Sequence, residues 1–475
     1  MELRHAPLLT LAALLRAALG LAISLLAIRS IGAQAFGYYS LVWSFCTAFL
    51  FMYSGVNTIV VAKMVEARAT GEERPWMTAG LLLSGVALLV VVAVAAAVAG
   101  TELARGPLRA AMVVCPLMLA CQIVTLFCCA TLDGRGLVAR AALLPVLANF
   151  GAAAYLAVAL AIGRPLPELG ALLGLLLGAY AIEAAIAVAA SARQWAGGLG
   201  LAWHRGTVKA LLVGGISTQA ANMVGFLLDP WSKGVLAVSL GPAAVAIFDL
   251  SMKVGWGLHA VFSAYARLFL QIPPSAQDRR LASLRLAAEL TWTPAALTAA
   301  IGVSVLPPLL SAWLHVDQAP LAVGMAMALA ACMLMTVASA AFISLIGFSD
   351  HGFIFRNQLI LGLANVVAAP LLVPLIGFAG AFVGSLVGTL INVGLISRRL
   401  QHHMPAFDGL TSLARPFVGR LCLALAVFGA AWLASAHAAS MWLPAALAVA
   451  AAALLLREPL AHATWRKLFR KMNST

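Results

Sequence analysis

Apolar residues run along this chain in stretches of roughly 20, separated by short polar breaks. A helix of that length, rising about 1.5 Å per residue, crosses about 30 Å of hydrocarbon. The pattern predicts fourteen spans, at roughly 7–28, 37–61, 76–99, 108–131, 140–162, 169–190, 209–236, 243–266, 286–310, 319–346, 353–373, 376–396, 417–436 and 441–457. The longest polar stretches are about 20 residues, around 191–209, 266–285 and 397–416. None can house a soluble catalytic or regulatory domain. The expected fold is an all-α polytopic membrane protein.

Composition narrows the classes further. Of 475 residues, 63% are hydrophobic and 10% are charged, against about 25% charged in soluble domains. Mean hydropathy is +1.01. A soluble globular protein, a disordered chain and a disulfide scaffold are excluded. The seven cysteines fall in apolar segments without a C-x-x-C pair; they read as small buried hydrophobes. A cleavable signal peptide is not expected, because Arg16 interrupts the first apolar run and no small-residue cleavage site follows.

The net charge of +14 orients a membrane protein rather than pointing to nucleic acid. With both termini cytoplasmic, 23 of the 30 Lys and Arg fall in inner segments, 4 in outer loops and 3 within spans. One missed or invented span would reverse the bias in every later loop.

The sequence repeats itself. Residues 140–153 (RAALLPVLANFGAA) and 356–369 (RNQLILGLANVVAA) agree at seven of fourteen positions. Gly170, Gly174 and Gly178 recur as Gly380, Gly384 and Gly388, each set a small-residue ridge suited to helix packing. A weaker echo links Ile31–Leu41 with Leu240–Leu250. Spans 1–6 and 7–12 therefore read as two copies of one unit. Six spans is an even number, so the copies run parallel about an axis along the membrane normal. The expected organisation is a lobe at 1–200, a second at 201–400, and two extra helices with a basic tail at 401–475.

Candidate chemistry is sparse. There is no G-x-x-x-x-G-K-[ST], G-x-S-x-G or H-E-x-x-H, and the outer loops are too short for catalytic machinery. No enzyme, metal site or bound cofactor is expected. What stands out is charge inside spans, which costs about 2.5–3.5 kcal/mol per residue on insertion scales. Arg16 sits about 14 Å into span 1 and has no partner on its own helix. Asp229 and Lys233 in span 7, and Asp249 and Lys253 in span 8, share an i, i+4 spacing that can make neutralised pairs. Pro230 is expected to kink or break span 7. Arg16, Lys233, Lys253 and Asp229 are the candidate residues of a central cavity; Glu183, Asp249 and Glu289 are candidates for coupling to H+ or Na+. Arginine and lysine suit a phosphate or diphosphate. Trp43, Trp76, Trp203, Trp292, Trp313, Trp442 and Trp465 read mostly as interfacial anchors. A duplicated bundle without an ATPase reads as a secondary transporter working by alternating access.

Two segments resemble a known family. Arg16 followed by Ala27-Ile28-Arg29-Ser30-Ile31-Gly32-Ala33-Gln34-Ala35-Phe36-Gly37-Tyr38-Tyr39-Ser40-Leu41, and Leu228-Asp229-Pro230-Trp231-Ser232-Lys233 … Leu240-Gly241-Pro242, are similar to the first and seventh span motifs of Wzx-type polysaccharide flippases. Leu132–Gly136 and Pro374–Ala381 also look like their counterparts. That family lies in the multidrug/oligosaccharidyl-lipid/polysaccharide (MOP) exporter superfamily. The resemblance implies fourteen spans in a V-shaped bundle like that of the multidrug (MATE) exporters. It implies translocation of undecaprenyl-diphosphate-linked oligosaccharide across the bacterial inner membrane. The implied partners are that substrate, membrane lipids and the polysaccharide polymerase or export machinery; nucleic acid is not among them. A lipid II flippase or drug/cation antiporter of the same superfamily is the neighbouring alternative. A membrane glycosyltransferase or an assembly scaffold is the alternative of another class.

Overall fold

A computed structural model describes residues 6–67, 73–99, 106–195, 205–263, 277–348 and 350–411. The described chain is helical throughout and is an all-α polytopic membrane protein. Twelve helices follow in order: α1 Ala6–Ile31, α2 Ala33–Ala67, α3 Glu73–Ala99, α4 Pro107–Gly134, α5 Val138–Ala161, α6 Leu169–Trp195, α7 Arg205–Ser239, α8 Pro242–Ser263, α9 Gln277–Leu314, α10 Gln318–Gly347, α11 His351–Ile376 and α12 Gly380–His403. They correspond one to one with expected spans 1–12, six in each copy of the repeat. Expected spans 13 and 14 lie outside the described residues.

By length and composition alone, nine apolar segments among the described residues can cross a membrane; one of them, Gly352–His403, covers both α11 and α12. Several helices outrun their spans. α9 starts at Gln277 rather than near 286, so Arg280, expected in a polar loop, is instead fully buried and donates to Ser344 O at 2.9 Å. α7 runs through Pro230 without a break.

The turns carry the duplication. Gly32 between α1 and α2 has φ +82°, and Gly241 between α7 and α8 has φ +88°. Gly163 and Gly377, before α6 and α12, have φ +70° and +65°. These are left-handed positions that glycine occupies without a Cβ clash, repeated at matching places in the two copies.

The chain divides into two compact units, Met1–Lys253 with Asn365–Ala381, and Val254–Ala364 with Phe382–Thr475. In the first, α4 is central and packs on α2, α3, α5 and α6, while α2 also lies along α7. A Cβ at Gly37 of α2 would fall 1.8 Å from Pro242 O at the start of α8, so only glycine permits that approach. In the second, α9 packs on α10. A Cβ at Gly388 of α12 would come 2.8 Å from Leu361 of α11.

The two glycine ridges fare differently. Gly380, Gly384 and Gly388 are buried, and a Cβ at Gly380 would lie 2.4 Å from the Leu372 backbone. Gly170, Gly174 and Gly178 lie on an exposed face of α6, where a Cβ at Gly174 or Gly178 would meet nothing within 4 Å. α6 is buried through Leu172, Leu173 and Leu176 instead. Spacing identifies a ridge, but it cannot say whether another helix lies against it.

Candidate functional site

The charged interior of the first unit begins in α7 and α8. A separation of four residues, just over one helical turn, puts Asp229 beside Lys233 and Asp249 beside Lys253. Lys233 Nζ lies 2.8 Å from Asp229 Oδ2 and 2.6 Å from Asp249 Oδ1. The two expected pairs are therefore one network. The Lys233 side chain is 4% exposed and that of Asp249 is 8% exposed. Taking such charges out of water costs several kcal/mol per ion, roughly, unless each is paired. Here the single Lys233 ammonium serves two carboxylates and Asp249 serves two ammoniums.

The network reaches a cavity through Lys253. Its Nζ lies 2.8 Å from Asp249 Oδ2, an ion pair within one helix. Lys253 also donates a hydrogen bond to Ser24 Oγ of α1, at 2.6 Å, and Ser24 Oγ donates in turn to Gly20 O. Phe36 presents its ring to the same ammonium at 5.5 Å, a cation–π contact.

Lys253, Ser24 and Arg16 all line a cavity of about 440 Å³, inside the range of about 300–1,000 Å³ typical of small-molecule sites. Arg16 is exposed there, and Glu183 and Tyr180 of α6 line the same space. Pro145 of α5 also lines it. A proline inside a helix has no N–H and displaces the carbonyl four residues back. That carbonyl, Ala141 O, takes the Cys129 thiol at 3.4 Å. One turn on, Ala148 N donates to Glu183 Oε2 at 3.1 Å rather than only along its own helix. A buried carboxylate is thus anchored at the edge of the cavity by a backbone N–H.

Of the four expected cavity residues, Arg16 and Lys253 line this space. Lys233 is sealed behind Asp249, and Asp229 is half-buried on the far side of Lys233. Glu183 lines the cavity, whereas Asp249 is buried in the network. Glu289 falls within α9, but its side chain lies outside the described residues. The sequence reading missed Gln122, Asn149, Tyr39 and Tyr180, which also line the cavity. Asn149 had a signal, since it stands in the repeated Leu-Ala-Asn. Its counterpart Asn365 is fully buried and donates to Ser232 Oγ at 2.9 Å. Trp43, expected at an interface, lines the cavity and stacks between Tyr39 and Tyr180, with ring centroids at 6.2 and 5.8 Å. Trp292 is 5% exposed and is a core residue rather than an anchor.

The fold has solved relatives in shape. An inward-facing multidrug resistance MATE family transporter of the MOP superfamily superposes with TM-score 0.62 at 14% identity, covering 84% of this chain and 95% of its own. The lipid II flippase MurJ, in an inward closed conformation, gives TM-score 0.71 at 10% identity, covering 97% of this chain and 99% of its own. A MOP superfamily transporter from Pyrococcus furiosus, whose binding pocket is described as having reversed polarity, gives TM-score 0.58 at 13% identity over 85% of this chain and 96% of its own. The fold is that of MOP superfamily transporters. No family model matches the sequence, and no curated protein matches it. At these identities the likeness is one of fold, and the chemistry of the cavity must be read from its own residues.

That chemistry favours an anion. The charged lining is two cations, Arg16 and Lys253, and one carboxylate, Glu183. Arg16 offers a planar fork to phosphate oxygens, and Lys253 a point charge held by Asp249 and Ser24. A cationic drug would meet two like charges against one carboxylate.

Proposed function

We propose that the protein is a flippase for undecaprenyl-diphosphate-linked oligosaccharide, moving it from the inner to the outer leaflet of the bacterial inner membrane for polysaccharide biosynthesis. The observation that carries this reading is the cationic cavity, with Arg16 exposed and Lys253 able to exchange Ser24 for a ligand oxygen. A diphosphate satisfies both groups. The transport cycle is alternating access between leaflets, with no ATPase and no covalent step. Glu183 is the proposed coupling group, because it is a carboxylate that lines the same cavity as Arg16.

The MurJ-like fold favours a second reading, a flippase for lipid II itself. One experiment separates the two. Lipid-linked intermediates are extracted from a deletion strain and weighed by mass spectrometry. Accumulation of a complete undecaprenyl-diphosphate repeat unit supports the first reading. Accumulation of lipid II with arrested growth supports the second. Neither accumulating, with surface polysaccharide intact, discards both and brings drug efflux forward.

A further inference from the structure

The second unit has a cavity of its own, about 260 Å³, and among the described residues lining it there is no Lys, Arg, Asp or Glu. We propose that this cavity is a subsite for a neutral sugar ring, built from Trp256 and a set of uncharged donors and acceptors. The proposal rests on the lipid-linked oligosaccharide reading and names the part of that substrate which the second unit holds.

The hydrogen-bond directions carry the inference. Thr336 Oγ1 donates its one proton to Cys332 O at 2.8 Å. The contact of 3.1 Å between Thr336 Oγ1 and His259 Nδ1 must therefore have histidine as donor. That fixes a proton on Nδ1 and leaves Nε2 as an acceptor. Ser339 and Thr389 spend their hydroxyl protons on Thr336 O and Ser385 O, so toward a ligand they too accept. Asn392 accepts from Asn357 through Oδ1 at 2.7 Å, which leaves its NH2 as a donor. Gln358 supplies both kinds. Beside them Trp256 is 40% exposed, with its ring edge-on to His259 at 5.7 Å. Mixed donors and acceptors without formal charge match hydroxyl groups, each of which donates and accepts. An open indole beside them suits the apolar face of a sugar ring. A phosphate would lack a cation here, and a cation would lack a carboxylate.

Two arms test this. In complementation, Trp256→Ala lowers polysaccharide export by about tenfold with an unchanged melting temperature, and Trp256→Phe keeps more than half. Full export by Trp256→Ala overturns the subsite. In the second arm, a benzophenone amino acid is placed at Ser339 in one strain and at Thr47, on the wall of the first cavity, in another. Cells are irradiated and the adducts are analysed by fragment mass spectrometry after mild acid. The adduct at 339 yields sugar oxonium ions. Polyprenyl or phosphate alone at 339, or an adduct at 47 with none at 339, overturns the subsite and leaves the flippase reading standing. No adduct at either position, with no lipid-linked intermediate in the deletion strain, overturns the flippase reading and this proposal together. Should the variant at 339 fail to fold, the Trp256 pair decides.

Discussion

Lys253 donates to Ser24 at 2.6 Å, and this one hydrogen bond ties the buried ions of α7 and α8 to the wall of the cavity. Behind Lys253 the charges are fixed: Asp249 holds Lys233, which holds Asp229. In front of it lies open space and Arg16. Lys253 is 34% exposed at its side chain where Lys233 is 4%. An incoming anion can compete for the first ammonium and not for the second.

Arg16→Ala is expected to cut export by about two orders of magnitude, since a paired charge at a closed site is worth roughly 2–5 kcal/mol. Membrane levels should stay normal because Arg16 is exposed and lines the cavity. Arg16→Lys keeps the charge, loses the fork and retains part of the activity. Export together with an immunoblot of membranes reads both; normal export in Arg16→Ala removes Arg16 from the site.

Asp249→Leu should be destabilised by about 3–5 kcal/mol, because it leaves Lys233 buried with only half of its counter-charge. The double variant Lys233→Met, Asp249→Leu should recover most of that loss, since replacing a buried pair with apolar groups is often neutral. Thermal unfolding in detergent measures the difference. A double variant no better than the single one would show that the network acts through something other than charge pairing.

Glu183→Gln keeps an oxygen for the Ala148 N–H and removes the charge. The protein should fold and bind substrate, and substrate movement should no longer respond to an imposed pH or sodium gradient. Proteoliposomes with a fluorescent lipid-linked oligosaccharide report this. An unchanged response would exclude Glu183 as the coupling group.

Gly37→Ala places a methyl 1.8 Å from Pro242 O. Overpacking costs about 1–3 kcal/mol where neighbours can yield, and here the neighbour is backbone. Expression and melting temperature should both fall, whereas Gly174→Ala, with nothing within 4 Å, should be neutral.

Between α10 and α11, Asp350 accepts from Arg399 Nε at 2.5 Å and contacts His403 Nε2 at 3.0 Å. The Arg399 hydrogen bond is the largest influence and pulls the carboxyl down to about 2 from the ordinary 3.8, with His403 adding to the effect. A depressed pKa stabilises the fold above the unfolded value and loses that stability as pH falls through the folded one. Melting temperature should therefore decline between about pH 4 and 2, and Asp350→Asn should flatten that decline. An equally steep decline in the variant would place the acid sensitivity elsewhere.

Much of this could be read from the chain because a bilayer imposes simple rules. A backbone in hydrocarbon must pair its own polar groups, so apolar runs of roughly 20 residues are helices, and the twelve described helices fall on their expected spans. The repeat was legible in Arg-x-x-Leu-x-x-x-Leu-Ala-Asn, and its turns carry matching left-handed glycines at 32 and 241. Arg16 drew notice because a lone intramembrane charge is costly. Tertiary structure decided the rest. Lys233 and Lys253 each have an aspartate four residues back in sequence, yet one is sealed between two carboxylates and the other opens on a cavity. Trp43 reads as an anchor until two tyrosines, one of them from another helix, stack on it. Spacing fixes which residues share a helix face; only the packing of helices fixes what that face meets, and the free energy of a buried charge or ring depends on what it meets.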